Sequence, residues 1–201
     1  MRGFEDPGLN RGAQFSQAPD FDMIRTIPTM NTARLTLRAM RPGDFDRFAQ
    51  IWALPDVVRH LGGGPRSRAH SWSTFLRSAG HWQMTGFGQW AVEEQSTRRM
   101  IGQAGFFIRG QELGEDFDPF PEFGEVLVPR VQGNGYGWEA ALAAHDWYDR
   151  VITGGLVTQV ASDNAPALRV AWRLGYRALR EIPGDGDTIV LMRRDRPIGT
   201  V

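Results

Sequence analysis

The stretch RVQGNGYGWEAALAAHDWY, residues 130–148, sets glycines at 133, 135 and 137 directly before an alanine-rich amphipathic run. Glycine reaches backbone conformations closed to other residues and lets a ligand come close to the main chain. The first amides of the following helix have no intrahelical acceptor, and the helix dipole adds partial positive charge beside them. A turn of this kind between a strand and a helix is suited to a phosphate or diphosphate. An isolated GxG also serves as a plain connection. Here EFGEVLV precedes it with strand character, and Tyr136, Ala140, Ala143, Trp147 and Val151 follow on one helical face, so the context is the one anion binding requires.

Two familiar phosphate loops do not fit. A dinucleotide fingerprint beginning at Gly133 needs a third glycine where Trp138 stands. The GxxxxGK[ST] loop needs a lysine, and all 23 basic residues of this chain are arginine. The missing lysine also rules out a Schiff base, and the missing cysteine rules out disulfides, thiolate metal sites and a thiol nucleophile.

With 201 residues and 41% apolar content the chain suits a single core. Its formal net charge is zero with interspersed signs, which gives no field for a nucleic-acid backbone or an anionic membrane and leaves a small molecule or a peptide as partner. No apolar run is long enough to span a bilayer, and the start lacks the order of a signal peptide; the expected setting is cytoplasmic. Residues 1–30 are rich in Gly, Pro, Asp and Gln and read as a mobile extension, followed by one domain over 31–196 and a short tail over 197–201.

Within the domain, RLTLRAM alternates like a half-buried strand, and RPGDFDRFAQIWAL opens a helix with Phe45, Phe48, Ala49 and Trp52 on one face. Residues 68–84 offer Trp72, Phe75, Leu76 and Ala79 at helical spacing. FGQWAVEEQ and RRMIGQAGFFIRG form a hairpin across STR. A polar, acidic loop leads to EFGEVLV and the glycine turn. Strand LVTQVAS, helix NAPALRVAWRLG capped by Gly175, and strands YRALREI and DTIVLMR complete the chain. The expected class is α/β, with about seven strands and about four helices.

The run Arg130, Val131, Gln132, Gly133, Asn134, Gly135 resembles the acyl-CoA signature of the GNAT N-acetyltransferases, written with Gln or Arg first. EFGEVLVPRVQGNGYGWEAALAAHDW followed by SDNAPALRVAWRLGYR, and TARLTLRAMRPGDFDRF near the start, are similar to the ribosomal-protein branch of that superfamily in the same order. The resemblance covers about residues 32–195 and implies the GNAT acyl-CoA N-acyltransferase fold, with a mixed, mostly antiparallel sheet. It implies acetyl-CoA as donor, no metal, and a primary amine as acceptor, on a small molecule or a protein N-terminus.

It further implies that Arg130, Gly133, Asn134, Gly135, Tyr136 and Gly137 hold the pyrophosphate, and that Val126, Leu127 and Val128 line the splayed strand that bonds the pantetheine arm. An amide of that strand could also steady the thioester oxygen. Asn164 matches a family residue that reaches the arm; as a helix N-cap it would bond its own helix equally well. Glu122 stands where many relatives carry a glutamate and shares a strand face with Gly124 and Val126, with Glu125 opposite, so it is the candidate base that takes the ammonium proton.

Two positions depart from the family pattern: Ala171 stands where many members have a tyrosine, and Ala167 where the ribosomal-protein branch often has a serine. Solvent, Tyr176 or another group would then protonate the leaving thiolate. These departures also motivate an alternative, a weakly active or non-catalytic acyl-CoA binding module. His81 could line the acceptor side; His60, His70 and His145 show no metal spacing and receive no role. The seven tryptophans read as core, and an exposed sheet edge would allow a homodimer.

Overall fold

The computed structural model describes residues 26–195. The chain enters at β1 (Met30–Asn31), which pairs antiparallel with β2 (Leu35–Arg38). Ile27 packs against the core and the Pro28 carbonyl accepts the Trp90 indole N–H at 2.9 Å, so the packed domain begins a few residues before the expected boundary at 31. The rest of the expected extension, residues 1–25, and the tail lie outside the described residues.

Leu35 and Leu37 are fully buried, as their alternation predicts, and Arg38 is buried with them. Its guanidinium bonds Asp44 through two nitrogens at 2.7 and 2.9 Å and Glu93 through Nε at 2.8 Å. Burial opposes ionisation of Asp44, but bonds from Arg38 and the Arg41 amide hold its carboxyl below the ordinary range. The network pins the tight turn Pro42–Asp44, and with it the start of α1 (Phe45–Trp52), to the sheet.

A single turn, α2 (Pro55–Val58), and a loop of three glycines lead to α3 (Arg68–Thr85), opened by the Ser67 side chain and closed by Gly86 at φ 75°. The buried face of α3 is Ser71, Phe75, Ser78 and Trp82, whereas Trp72 and Leu76 of the expected face are 45% and 51% exposed. The helix carries too few apolar residues for periodicity to choose the face. What chooses it is the sheet, where Ser78 donates to the Gln89 side chain at 3.1 Å and the Trp82 indole to the Gln89 carbonyl at 3.2 Å.

The hairpin forms as expected from β3 (Gln89–Glu94) and β4 (Arg99–Phe107). Then come β5 (Glu122–Leu127), α4 (Tyr136–Val151), β6 (Leu156–Ala161), α5 (Ala165–Arg173), β7 (Arg177–Pro183) and β8 (Thr188–Arg194). The sheet order is β1-β2-β3-β4-β5-β6-β8-β7, antiparallel except between β5 and β6. The described residues thus hold eight strands and five helices; the additions to the expected count are β1 and α2, both too short to show a period. α1 and α3 lie on one face, α4 and α5 on the other.

Ala140, Ala141 and Ala144 let α4 sit close on the sheet, while Val151, expected on that face, is 51% exposed at the helix end. Trp82, Trp90 and Trp147 meet edge to face with centroids 4.7 to 5.5 Å apart, each such contact adding about 1 kcal/mol beyond burial. Trp72 and Trp172, by contrast, are largely exposed and outside the core. No described helix is long and apolar enough to cross a membrane.

The Arg38 network carries a direct test. Arg38→Met leaves Asp44 buried without its bidentate partner and Glu93 with only the exposed Arg98 at 3.3 Å, and urea unfolding at neutral pH should show a loss of about 3 kcal/mol. An unchanged midpoint would mean that the network contributes nothing net to stability.

Candidate active site

β5 and β6 run parallel, yet one register pair joins them, Glu122 with Val157. The Val157 amide donates to the Pro121 carbonyl and the Thr158 hydroxyl to the Phe123 carbonyl, both at 3.0 Å. Beyond that point β5 stays paired to β4 and β6 to β8, and no described strand lies between them. The Val128 amide donates to the Ile101 carbonyl at 2.9 Å, so by alternation Gly124 and Val126 also turn their main-chain groups to β4. The edge toward the gap belongs to Phe123, Glu125 and Leu127. Of the three residues expected to meet the pantetheine arm, only Leu127 therefore presents its amide there; Val126 and Val128 are bonded to β4 instead.

At the open end of the gap the glycine turn feeds α4. Gly133 and Gly135 have φ of 76° and 78°, the left-handed region that favours glycine, and Gly135 is the N-cap without any side-chain cap. The first helical bond runs from the Glu139 amide to the Gly135 carbonyl at 3.1 Å, which leaves the amides of Tyr136, Gly137 and Trp138 without helical acceptors. The spacing of Gln, two residues, Gly, one residue and Gly also fits Gln132, Gly135 and Gly137. The structure favours this register over the one from Arg130, because Gly135 is the cap. The Gln132 side chain donates to the Leu127 carbonyl at 3.2 Å and so ties the turn to the gap edge of β5.

Two further braces hold the turn, and neither is legible locally. Arg34 donates to the Asn134 carbonyl at 2.9 Å and through Nε to Glu139 at 2.7 Å, while its guanidinium lies 4.2 Å from the Tyr136 ring centroid. Glu94 accepts from Arg130 at 2.9 Å, Thr97 at 2.7 Å and the Tyr136 hydroxyl at 3.2 Å, bonds that pull its carboxyl down to about 2, led by that from Arg130. The side chains of Arg130 and Tyr136 are thus engaged with Glu94. Gly133 and Asn134 are exposed at the rim.

Glu125 points the other way from Glu122, as alternation predicts, toward the first turn of α4. Its Oε1 lies 2.7 Å from where a Cβ on Gly137 would stand, so a side chain at 137 would have to displace the Glu125 carboxyl. Among the described residues nothing hydrogen-bonds this carboxyl, and burial pushes it up to about 8. Across the gap Asn164 caps α5, its side-chain oxygen accepting from the Ala167 amide at 3.2 Å. The cap reading of Asn164 is therefore observed, and its side-chain NH₂ has no partner among the described residues.

Glu122 sits at the point where the strands part and is buried. Its Oε2 accepts from the Gln159 side chain at 3.2 Å, and its Oε1 lies 3.3 Å from the Arg109 guanidinium. Burial raises its carboxyl to about 7, with Arg109 and the Gln159 bond acting in the opposite direction. The acidic loop over residues 108–121 is more than a solvated connection, since Leu113, Phe117 and Phe120 pack on Val157 and Leu191 and bring the loop over Glu122.

Tyr176 is fully buried and its hydroxyl is bonded to His145 Nε2 at 2.9 Å, so it cannot meet a departing thiolate at the gap. Burial drives its phenol well above the ordinary value. His145, given no role from sequence, is a buried structural partner, with Nδ1 2.7 Å from the Ala141 carbonyl. Burial beside Arg77 lowers the His81 imidazole, and among the described residues its side chain makes no hydrogen bond.

The fold is shared with known proteins. A family model described as "Acetyltransferase (GNAT) domain" matches residues 34–177, and the chain belongs to that family. A Bordetella pertussis protein assigned to GnaT-family acetyltransferases is 27% identical, with a TM-score of 0.77 over 84% of this chain and 99% of that one. An acetyltransferase of Agrobacterium tumefaciens is 30% identical, with a TM-score of 0.70 over 85% of this chain and 96% of the other. The ribosomal-protein-S5-alanine acetyltransferase of Vibrio fischeri shares the fold at 15% identity, with a TM-score of 0.67 over 87% of this chain and 100% of that one. The chain is an acyl-CoA-dependent acetyltransferase of the GNAT family.

The Glu125 carboxyl makes the stability of this region pH-dependent. Its folded pKa of about 8 lies above the ordinary 4.5, so the folded state holds a proton that the unfolded chain has lost, and stability falls as pH rises through that window. Glu125→Gln should therefore melt with wild type at about pH 4 and above it at about pH 9. A gap that stays constant with pH would show that the carboxyl does not titrate this way.

Proposed function

We propose that this enzyme moves the acetyl group of acetyl-CoA to a primary amine by direct attack in a ternary complex, with Glu122 as base. The observation that carries this reading is the position of Glu122 at the parting of β5 and β6, the same gap that ends at the uncapped start of α4. The diphosphate of CoA would lie on the amides of Gly135, Tyr136 and Gly137, rimmed by Gly133 and Asn134, where a protonated Glu125 adds no negative charge. The pantetheine amides would complete the unpaired edge of Glu125 and Leu127, as an added strand does, with the Asn164 NH₂ opposite.

In the transfer, the amine nitrogen attacks the thioester carbonyl carbon, the ammonium proton having passed to Glu122 directly or through water. A gap-facing amide of β5 stabilises the developing oxyanion. The C–S bond breaks, CoA leaves as thiolate, and the second proton on the attacking nitrogen passes through water to that thiolate or to solvent, leaving the amide and the free thiol. A thiol's ordinary pKa of about 8.5 makes that anion a workable leaving group without Tyr176 or the hydroxyls absent at Ala167 and Ala171. The acceptor is an amine on a small molecule or a protein N-terminus, and we place the enzyme, as one catalytic domain, in the cytoplasm.

A base works as the carboxylate, and the Glu122 pKa is about 7, so kcat/KM should rise with pH through about 7 and level above it. Glu122→Gln should lower kcat about 100-fold or more and remove that limb, with CoA affinity by calorimetry unchanged. CoA binding with no thiol release on any amine would favour a binding module, and failure of CoA to bind would overturn the proposal.

A further inference from the structure

We infer that Glu122 and the ring of Phe107 form a subsite for the acceptor's alkylammonium group, and that Arg109 of the same chain occupies it until the acceptor arrives. The inference rests on the transfer reading above and specifies the acceptor as a cation that must compete with an internal one.

The subsite is assembled from three elements. Phe107 and Glu122 are register partners on β4 and β5, so their side chains stand side by side on the face opposite α4. Gly124, next on that face, leaves space that the Phe107 ring fills, the ring carbons lying 2.8 and 3.1 Å from where a Cβ would be. From β6, Gln159 donates to Glu122 and to the Gln111 side-chain oxygen. A carboxylate beside an aromatic face is a cation site, because the ring quadrupole and the anion attract the same charge.

Arg109 satisfies both attractions at once. Its guanidinium is 3.3 Å from Glu122 Oε1 and 4.8 Å from the Phe107 ring centroid, yet its side chain is 48% exposed. Only the Arg109 side of this pair is exposed, so the guanidinium is the member that can leave to water and be replaced by a cation from solution. The backbone beside Arg109 permits the exchange: Gly110 has φ 63°, and the loop is held beyond it by Asp118, which accepts from the Gln111 and Gly114 amides. When Arg109 leaves, the ammonium lies against the group that will take its proton.

The other charged groups around Glu122 do not compete for this position. Asp118 is bonded to loop amides, and the hydroxyl of the buried Tyr176 is bonded to His145. On β8, Arg193 stacks on Phe120 and pairs with Asp195 at 2.6 Å. Arg180 on β7 pairs with Asp116.

The test uses the full chain and n-butylammonium chloride as probe, at constant ionic strength, followed by the ring signals of Phe107 and the side-chain carboxyl carbon of Glu122 in NMR spectra. Arg109→Ala should bind the probe about fivefold more tightly than wild type, Arg109→Lys should return wild-type affinity, and Arg109→Ala with Glu122→Gln should lose the gain. The Glu122 carboxyl should titrate at higher pH in Arg109→Ala, since a neighbouring cation has been removed. Equal or weaker binding in Arg109→Ala, or an unmoved Glu122 titration, overturns the inference. Loss of activity in Glu122→Gln alone bears on the base reading, so the two can fail separately.

Discussion

The contact between β5 and β6 is bonded only at its first residues, and the reason lies in their other neighbours. β5 keeps a six-pair ladder with β4, and β6 keeps a six-pair ladder with β8. Each strand follows the twist of its own antiparallel partner, so the two halves of the sheet diverge once Glu122 and Val157 are passed. Main-chain groups left at such an edge seek a partner, whether water or ligand. The gap is therefore made by the sheet itself, and it requires no special side chain.

Around that gap the fold separates two kinds of work by strand alternation. On one face Glu125 approaches the first turn of α4 and Gly137 makes room for it, which sets the electrostatics where a diphosphate would lie. On the other face Glu122, Phe107, Gln159 and Arg109 gather where an acceptor would meet the thioester. A displacement of one residue in β5 would exchange the two carboxyls. The Glu122–Phe107 and Glu122–Val157 pairs fix that register from both sides.

The glycine turn depends on distant residues to hold a conformation that its own sequence only permits. Arg34, in the bend just before β2, and Glu94, at the end of β3, grip it from outside, while Gln132 ties it to the edge of β5. The acyl-CoA signature thus marks where a chain can turn, and long-range ion pairs decide how steadily it does so. This division explains why Arg130 and Tyr136 are turned to Glu94.

The amino-acid sequence by itself determined the element order, the hairpin, the glycine turn ahead of α4, the opposed directions of Glu122 and Glu125, and the family. All of these are carried by local spacing and alternation, which act over a few residues. Only the tertiary structure decided the buried face of α3, the burial of Tyr176 against His145, the choice of Leu127 over Val126 and Val128 at the gap, and the meeting of Arg109 with Glu122. Those outcomes depend on which strand pairs with which and on what packs across the sheet, and such contacts join residues whose separation along the chain leaves no period to read.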